Sequence, residues 1–133
     1  MKLISFTQQE IFPTTALDIY SILLDSRKCT SFTGEPAIVS DKEGDSFSLF
    51  DNTLIGKNIV LERGELIIWS FRLNDAKWPE TITTEAAIVL KNIDPISCKI
   101  ELFLTAVPIA FEEQLKQLWN ENIWEALRYY IER

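Results

Sequence analysis

One arginine stands in the most aromatic stretch of the chain, "IIWSFRLNDAKWPE". Arg72 follows Trp69 and Phe71, and an arginine between aromatic walls is suited to holding a carboxylate. The alternative is the solvent side of an ordinary strand, in which Trp69 and Phe71 share one face and Arg72 lies on the other. We expect the aromatic face to point inward and Arg72 to face solvent, paired with an acid on a neighbouring strand such as Glu62 or Glu85.

Other groups with catalytic chemistry are few. The chain has no histidine, the usual base near neutral pH, so no Ser-His or Cys-His pair can form. Cys98 alternates with Ile100 and Leu102, which indicates a buried and unreactive thiol. Cys29 stands beside Arg27 and Lys28, a setting that favours a lowered thiol pKa, but the absence of a histidine partner argues against a covalent mechanism. We predict a protein that is not an enzyme and has no catalytic residue.

Three acids in "SDKEGD" have the alternating spacing of a calcium loop. They are Asp41, Glu43 and Asp45. Lys42 interrupts the pattern, and no glutamate follows at the distance that a bidentate calcium ligand requires. A solvated hairpin is the favoured interpretation, and we expect neither a metal site nor a cofactor.

Size and charge restrict the class of protein further. A chain of 133 residues is predicted to form a single domain, residues 1–133, with a sizeable core. The net charge is −7 and no cationic run exceeds "RK", which argues against a nucleic-acid partner. The N-terminal "MKLISFTQQEIF" lacks the apolar run of a signal peptide, and no segment is apolar for long enough to span a membrane. We expect a cytoplasmic protein with reduced cysteines.

The first third of the chain predicts one strand and two short helices. Residues 2–11 alternate as an edge strand does. Thr15 and Asp18 have the spacing of a capping box, which predicts a helix of about ten residues. A second helical turn or loop follows and ends at Gly34 and Pro36.

The remaining chain predicts a sheet and a long helix. Residues 37–106 alternate with a period of two between short turns, which indicates an antiparallel meander. After Pro108 the apolar residues recur at helical spacing, which predicts one unbroken helix over about 111–131. The physical solution for about six strands and this helix is an α+β helix-grip fold, in which the antiparallel sheet wraps around the long C-terminal helix.

Several segments together resemble a known family. The points of match are "FTGEPA", "GDSFSLFD", "WP", "VP" and the tryptophan pair in "WNENIW", which lie in the same order as in the family. On these segments the chain resembles the activator of Hsp90 ATPase homologues of the START-like (SRPBCC, Bet v 1-like) superfamily. It departs from the family at Phe71, where tryptophan is common, and at Asn52 and Leu118, where glycine is common.

The resemblance implies a fold more strongly than a function. Eukaryotic members have an additional N-terminal domain that carries much of the chaperone-stimulating activity, and this chain matches only their C-terminal domain. Single-domain bacterial-type members are also similar, and most have no assigned activity. The resemblance to the eukaryotic members implies an Hsp90-type chaperone as a partner.

A helix-grip fold often leaves an apolar cavity between its sheet and its long helix. Helical spacing places Asn122 on the inner face of that helix, where a buried amide needs a ligand, a water molecule or Thr84 as its partner. The residues predicted to bind a ligand in this cavity are Trp69, Phe71, Thr84, Leu104, Leu118 and Asn122.

Three hypotheses follow. The first is a non-enzymatic module that binds a small apolar or amphipathic ligand in this cavity. The second is a regulator that binds an Hsp90-type chaperone, and the third is an enzyme of the superfamily such as a cyclase or hydrolase, which the absence of histidine disfavours. The chain is expected to be a monomer or a weak homodimer.

Overall fold

Six antiparallel strands form one sheet in the computed structural model, which describes residues 1–133. The strands are β1 (Leu3–Phe12), β2 (Ser46–Leu49), β3 (Leu54–Glu62), β4 (Leu66–Leu73), β5 (Thr84–Asp94) and β6 (Ser97–Pro108). Their spatial order is β1-β6-β5-β4-β3-β2, so each of β2 to β6 lies beside its neighbour in sequence. The predicted meander is confirmed, because the segments with a period of two are the ones that pair.

Two short helices, α1 (Ala16–Leu23) and α2 (Ser26–Thr33), connect β1 to β2 as predicted. The Thr15 hydroxyl caps α1 by accepting a hydrogen bond of 3.2 Å from the Asp18 amide. Helix α2 ends at Gly34, which has a φ of 78°. Glycine adopts this left-handed conformation without steric cost, so the chain can turn sharply there.

The C-terminal helix is continuous but not uniformly wound. It consists of a 3₁₀ turn (Ile109–Phe111), α3 (Glu112–Gln117), a π-helical segment (Leu118–Glu125) and α4 (Ala126–Glu132). In the π-helical segment hydrogen bonds span five residues, and the Ala126 amide donates to the Glu121 carbonyl. The predicted unbroken helix is confirmed in extent, and its under-wound middle is a feature that the sequence analysis did not predict.

The under-wound segment follows from the spacing of the buried side chains. These recur at every fourth position, at Phe111, Leu115, Trp119, Ile123 and Leu127. Four residues turn a regular α-helix by about 400°, which is about 40° more than a full turn. A row with this spacing would drift away from the sheet, and unwinding the helix keeps it directed inward.

Strand β4 has the burial pattern that the sequence predicts. Ile67, Trp69, Phe71 and Leu73 are buried, whereas the residues between them are half-buried. The buried face of the sheet packs against the C-terminal helix, and one cluster of 33 buried apolar residues joins the sheet to all the helices. Burying one large apolar side chain contributes about 1.5–3 kcal/mol, so this shared core supplies most of the driving force for folding.

Polar contacts hold the C-terminal helix against the edge strand β1. The Gln8 side chain donates to the Lys116 carbonyl at 3.2 Å and accepts from the Trp124 indole at 3.1 Å. Arg128 binds the Glu10 carboxylate at 2.7 Å. These bonds fix the height of the helix over the sheet.

None of the helices combines the length and the apolar character needed to cross a membrane.

Candidate functional site

Three of the predicted ligand-binding residues lie on the inner face of the sheet. Trp69 and Phe71 lie on the inner face of β4 and Leu104 on that of β6, and each is at most 1% exposed. The Trp119 ring lies above them, with its centroid 6.1 Å from that of Trp69 and 6.2 Å from that of Phe71. Trp124 continues this aromatic cluster, 5.6 Å from Trp119.

The other three predicted residues are placed differently. Thr84 is fully buried, and its hydroxyl donates to the Ala106 carbonyl at 3.0 Å, so it already has a partner. Leu118 is half-buried beside the core. Asn122 is exposed, and the expectation that it lies on the inner face of the helix is wrong. Regular α-helical spacing would have brought it inward, but the π-helical winding directs Ile123 inward instead.

The space between the sheet and the C-terminal helix is occupied by side chains. Five cavities of the structure have no lining by Trp69, Leu104 or Leu118, and Phe71 borders only one of them, on the far side of the sheet. The large aromatic rings fill the volume in which a ligand cavity was expected.

One polar atom inside this cluster has no partner. The Trp119 indole nitrogen is buried and donates no hydrogen bond. A buried donor without an acceptor costs about 1–3 kcal/mol, and most native structures avoid it. It is the one buried side-chain nitrogen or oxygen of the structure left in this state.

Asn58 is a buried polar residue that the sequence analysis missed. A change of register between Asn58 and Val60 marks a bulge in β3, and the Asn58 side chain points inward. Its amide oxygen accepts a bond of 2.9 Å from the Trp69 indole, and its amide nitrogen donates to the carbonyls of Ser40 and Lys42 at 3.0 Å each. Asn58 therefore joins the aromatic cluster to the loop before β2.

The largest cavity lies on the other side of the sheet. It is a groove of about 660 Å³ over the outer face of β2, β3 and β4, and we call it the outer groove. Arg72 and Lys57 line it together with Ile38, Ile55 and Ile59, and no acidic residue does so. The Arg72 side chain is on the solvent side of the strand, as predicted, and it also borders a groove.

The expected ion pair of Arg72 is not formed. Its Nε donates instead to the Leu73 carbonyl at 3.3 Å, and neither ion pair of the protein involves it. Glu62 lies opposite Leu66, far along the strand from Arg72, and Glu85 lies opposite Ser70, so it is only a diagonal neighbour and forms no ion pair with the arginine. Neither acid is therefore directly across from the arginine.

Both thiols are buried and protonated. Burial, followed by the charge of Asp25, raises the pKa of Cys29 to about 12. Its sulfur contacts the carbonyl oxygens of Ile22 and Leu23 at 3.3 and 3.4 Å. The expectation that Lys28 lowers this pKa is wrong, because α2 directs the thiol into the core. Burial likewise raises the pKa of Cys98 to about 11, in line with the predicted unreactive thiol.

The acids of "SDKEGD" are used within the loop. Asp45 accepts a bond of 2.7 Å from the Ser40 hydroxyl, and Glu43 accepts one of 2.9 Å from the Leu61 amide. No three acidic or cysteine side chains of the structure are grouped as metal ligands would be.

Comparison with known proteins gives relatives along most of the chain. No family model matches. Activator of 90 kDa heat shock protein ATPase homolog 2 from Mus musculus is 30% identical over 125 residues, which cover 92% of this chain and 36% of that protein. The activator of 90 kDa heat shock protein ATPase homolog from Dictyostelium discoideum is 24% identical over 121 residues, covering 91% of this chain and 31% of that protein. The chain thus spans about a third of the length of these curated relatives.

Solved structures agree on the fold. The structure of an HSP90 activator from Plasmodium falciparum matches with a TM-score of 0.86 at 20% identity, covering 92% of this chain and 91% of that one. At this identity the likeness concerns the fold alone. The predicted α+β helix-grip arrangement is confirmed.

Proposed function

We infer that the chain is related to the activator of Hsp90 ATPase homologues, and on this basis we propose that it is a non-enzymatic protein that regulates an Hsp90-type chaperone. The named activity belongs to relatives about three times as long. The proposal is that the segment they share with this chain contributes to it by binding the chaperone.

The observation that carries this proposal is the filled interior. Trp69, Phe71 and Trp119 occupy the space between the sheet and the C-terminal helix, and each is at most 1% exposed. Recognition by this structure therefore falls on its outer surface. A partner protein binds such a surface, whereas a small molecule normally needs an enclosing pocket.

The test uses the purified chain and the Hsp90-type chaperone of the same organism. We expect saturable binding by calorimetry and a saturable change in the ATPase rate of the chaperone. The chain alone should hydrolyse no ATP, and an ATP-competitive inhibitor of the chaperone should abolish all turnover in the mixture. A chaperone whose ATPase rate and calorimetric trace are unaffected by the chain would contradict the proposal.

A second candidate function is the binding of a small apolar or amphipathic ligand between the sheet and the C-terminal helix. The unpartnered indole nitrogen of Trp119 favours it, because a ligand with an oxygen acceptor would satisfy this donor. Entry would require the helix to move away from the sheet. The residues proposed to line the opened cavity are Trp69, Phe71, Thr84, Leu104 and Leu118.

Octanoate, decanoate and laurate serve as probes for this candidate. A ligand at about 100 times its Kd adds roughly 2.7 kcal/mol to the stability, which raises the melting temperature by several degrees. Trp69→Ala should reduce the rise in melting temperature that the probe causes. Trp119→Phe removes the indole donor and should reduce it as well, whereas Arg72→Ala should leave it intact. A constant melting temperature with all three probes would contradict an internal ligand site.

We also propose that the 133 residues act as one unit in the cytoplasm. The free thiols of Cys29 and Cys98 support the location, since a reducing compartment keeps them in that state. A fluorescent fusion that accumulates outside the cytoplasm would contradict it.

A further inference from the structure

The outer groove concentrates unpaired positive charge in an acidic protein. Lys57 lies opposite Ser70, and Arg72 lies opposite Ile55, so the two cations are diagonal neighbours on adjacent strands. Diagonal neighbours of this kind are about 7–8 Å apart, a distance that one or two carboxylates can bridge. Neither cation takes part in an ion pair, although the protein has a net charge of −7.

Apolar side chains border these cations. Ile38 is 69% exposed and Ile59 is 45% exposed, and Ile55 stands opposite Arg72 and two residues before Lys57 on the same outer face. Three isoleucines beside two cations form an amphipathic surface. Its complement is an anionic group next to an apolar one.

The shape of the groove distinguishes between a small molecule and a segment of protein. A site for a small molecule encloses about 70–90% of the surface of its ligand. The outer groove is open to solvent along the sheet, so a small molecule would stay largely hydrated there. A segment of chain gains contacts along the length of the groove and needs no enclosure.

We propose that the outer groove binds an acidic segment of a partner protein, with carboxylates on Arg72 and Lys57 and an apolar side chain against the isoleucines. Arginine suits this role because its planar guanidinium can bind a carboxylate through two hydrogen bonds. Here the guanidinium uses only its Nε within the protein, which leaves its terminal nitrogens free for a partner. The inference goes beyond the proposed function because it requires no chaperone.

The experiment titrates the isotopically labelled chain with a synthetic hexapeptide blocked at both ends, Glu-Ile-Pro-Glu-Ile-Glu. The proline prevents the peptide from adding to the sheet as an extra strand. We expect the amide shifts to cluster at Ile38 and along β2, β3 and β4. Replacing each glutamate of the peptide by glutamine should abolish binding, because the uncharged peptide has no partner for the cations.

Matched variants of the chain test the two cations. Arg72→Gln and Lys57→Gln should each weaken binding about three- to tenfold, as loss of a half-exposed charge contact does. Lys91→Gln is the control, since Lys91 lies on the outer face of β5, away from the groove, and carries the same charge. It should change the affinity by less than about twofold.

Several outcomes would overturn the inference. They are an absence of shifts, shifts confined to another surface, equal binding of the glutamine peptide, and equal weakening by Lys91→Gln. Tighter binding of decanoate than of the peptide would also overturn it in favour of a small-molecule site. If Arg72→Gln fails to fold, Lys57→Gln alone decides, because Lys57 is exposed. The peptide titration contains no chaperone, so its failure and that of the ATPase test are separate results.

Discussion

Replacing Asn58 by alanine should destabilise the protein more than any other single change to a polar side chain. The substitution removes the acceptor of the Trp69 indole and the donor to the carbonyls of Ser40 and Lys42. It leaves the indole nitrogen of Trp69 buried and without a partner, as that of Trp119 already is. The aromatic cluster would then contain two such donors.

The size of the loss in the free energy of unfolding depends on which of the former hydrogen-bond partners of Asn58 can bind water instead. The loop carbonyls lie near the surface and can bind water, so their loss costs little. The Trp69 indole cannot, and an unsatisfied buried donor costs about 1–3 kcal/mol. With about 1 kcal/mol for the lost contacts of the loop, the free energy of unfolding should fall by about 2–4 kcal/mol. For a chain of this size the melting temperature should fall by about 10 °C.

The assay is urea unfolding followed by far-ultraviolet circular dichroism, applied to Asn58→Ala, Trp69→Phe and the double variant. Because the two side chains are bonded to each other, the double variant should lose about 1–2 kcal/mol less than the sum of the single losses. The exposed Asn120→Ala is the control and should change the stability by less than about 0.5 kcal/mol. A loss for Asn58→Ala as small as that of the control, or additive losses, would refute the reasoning.

Three further predictions concern other positions. Gly56→Ala should lower the free energy of unfolding by about 1–3 kcal/mol, because a Cβ at this position would lie 2.5 Å from the Ser70 carbonyl and 2.8 Å from the Phe47 ring. Urea titration measures the change, and an unchanged unfolding midpoint would contradict this packing. Because the folded state raises the pKa of Cys29 from 9.0 to about 12, its contribution to stability is complete below pH 9 and is lost as the pH rises toward 12. Cys29→Ala should therefore flatten the decline in stability by up to about 1.4 kcal/mol per pH unit above pH 9, and parallel profiles for the two proteins would show that the thiol is not responsible. Arg128→Ala should lower the free energy of unfolding by about 1 kcal/mol, because it removes the hydrogen bonds to Glu10 and to the Ile11 carbonyl. Thermal unfolding measures this change, and a melting temperature equal to that of the parent would rule out this anchoring role.

Alternation along the strands predicted the sheet and the exposure of Arg72 correctly. A period of two decides which face a side chain takes, and the apolar bulk of Trp69 and Phe71 identifies the inner face of β4. Alternation does not decide which residues of neighbouring strands stand opposite each other. The partner of Arg72 was therefore predicted wrongly, because register depends on turn lengths and bulges.

Asn58 was missed because a polar side chain on the inner face of a strand is uncommon. Asn58 is in phase with the buried Leu54 and stands opposite Trp69, so the period of two directs its side chain inward, and the bulge begins only after it. The indole of Trp69 offered an indirect signal, since a buried tryptophan normally needs an acceptor. A search for that acceptor among the asparagines of the neighbouring strand would have pointed to Asn58.

The position of Asn122 was predicted wrongly for a different reason. The prediction assumed regular α-helical winding, in which Asn122 follows Leu118 by four residues on the same face. The signal against it was present in the sequence: Trp119 and Trp124 are five residues apart, a spacing that regular winding does not bring to one face. The winding of the helix, and not the polarity of the side chain, determines the direction in which Asn122 points.

The π-helical segment has a consequence for chain length. Between Trp119 and Ile123 stand three consecutive exposed residues, Asn120, Glu121 and Asn122. Removing any one of them would change the inner row from a strict spacing of four to a spacing of four, three and four, which regular α-helical winding keeps on one face. The C-terminal helix thus holds one residue more than its buried face needs. A deletion at this point, unlike one in the α-helical turns on either side, would leave the core contacts in place and return the backbone to hydrogen bonds that span four residues.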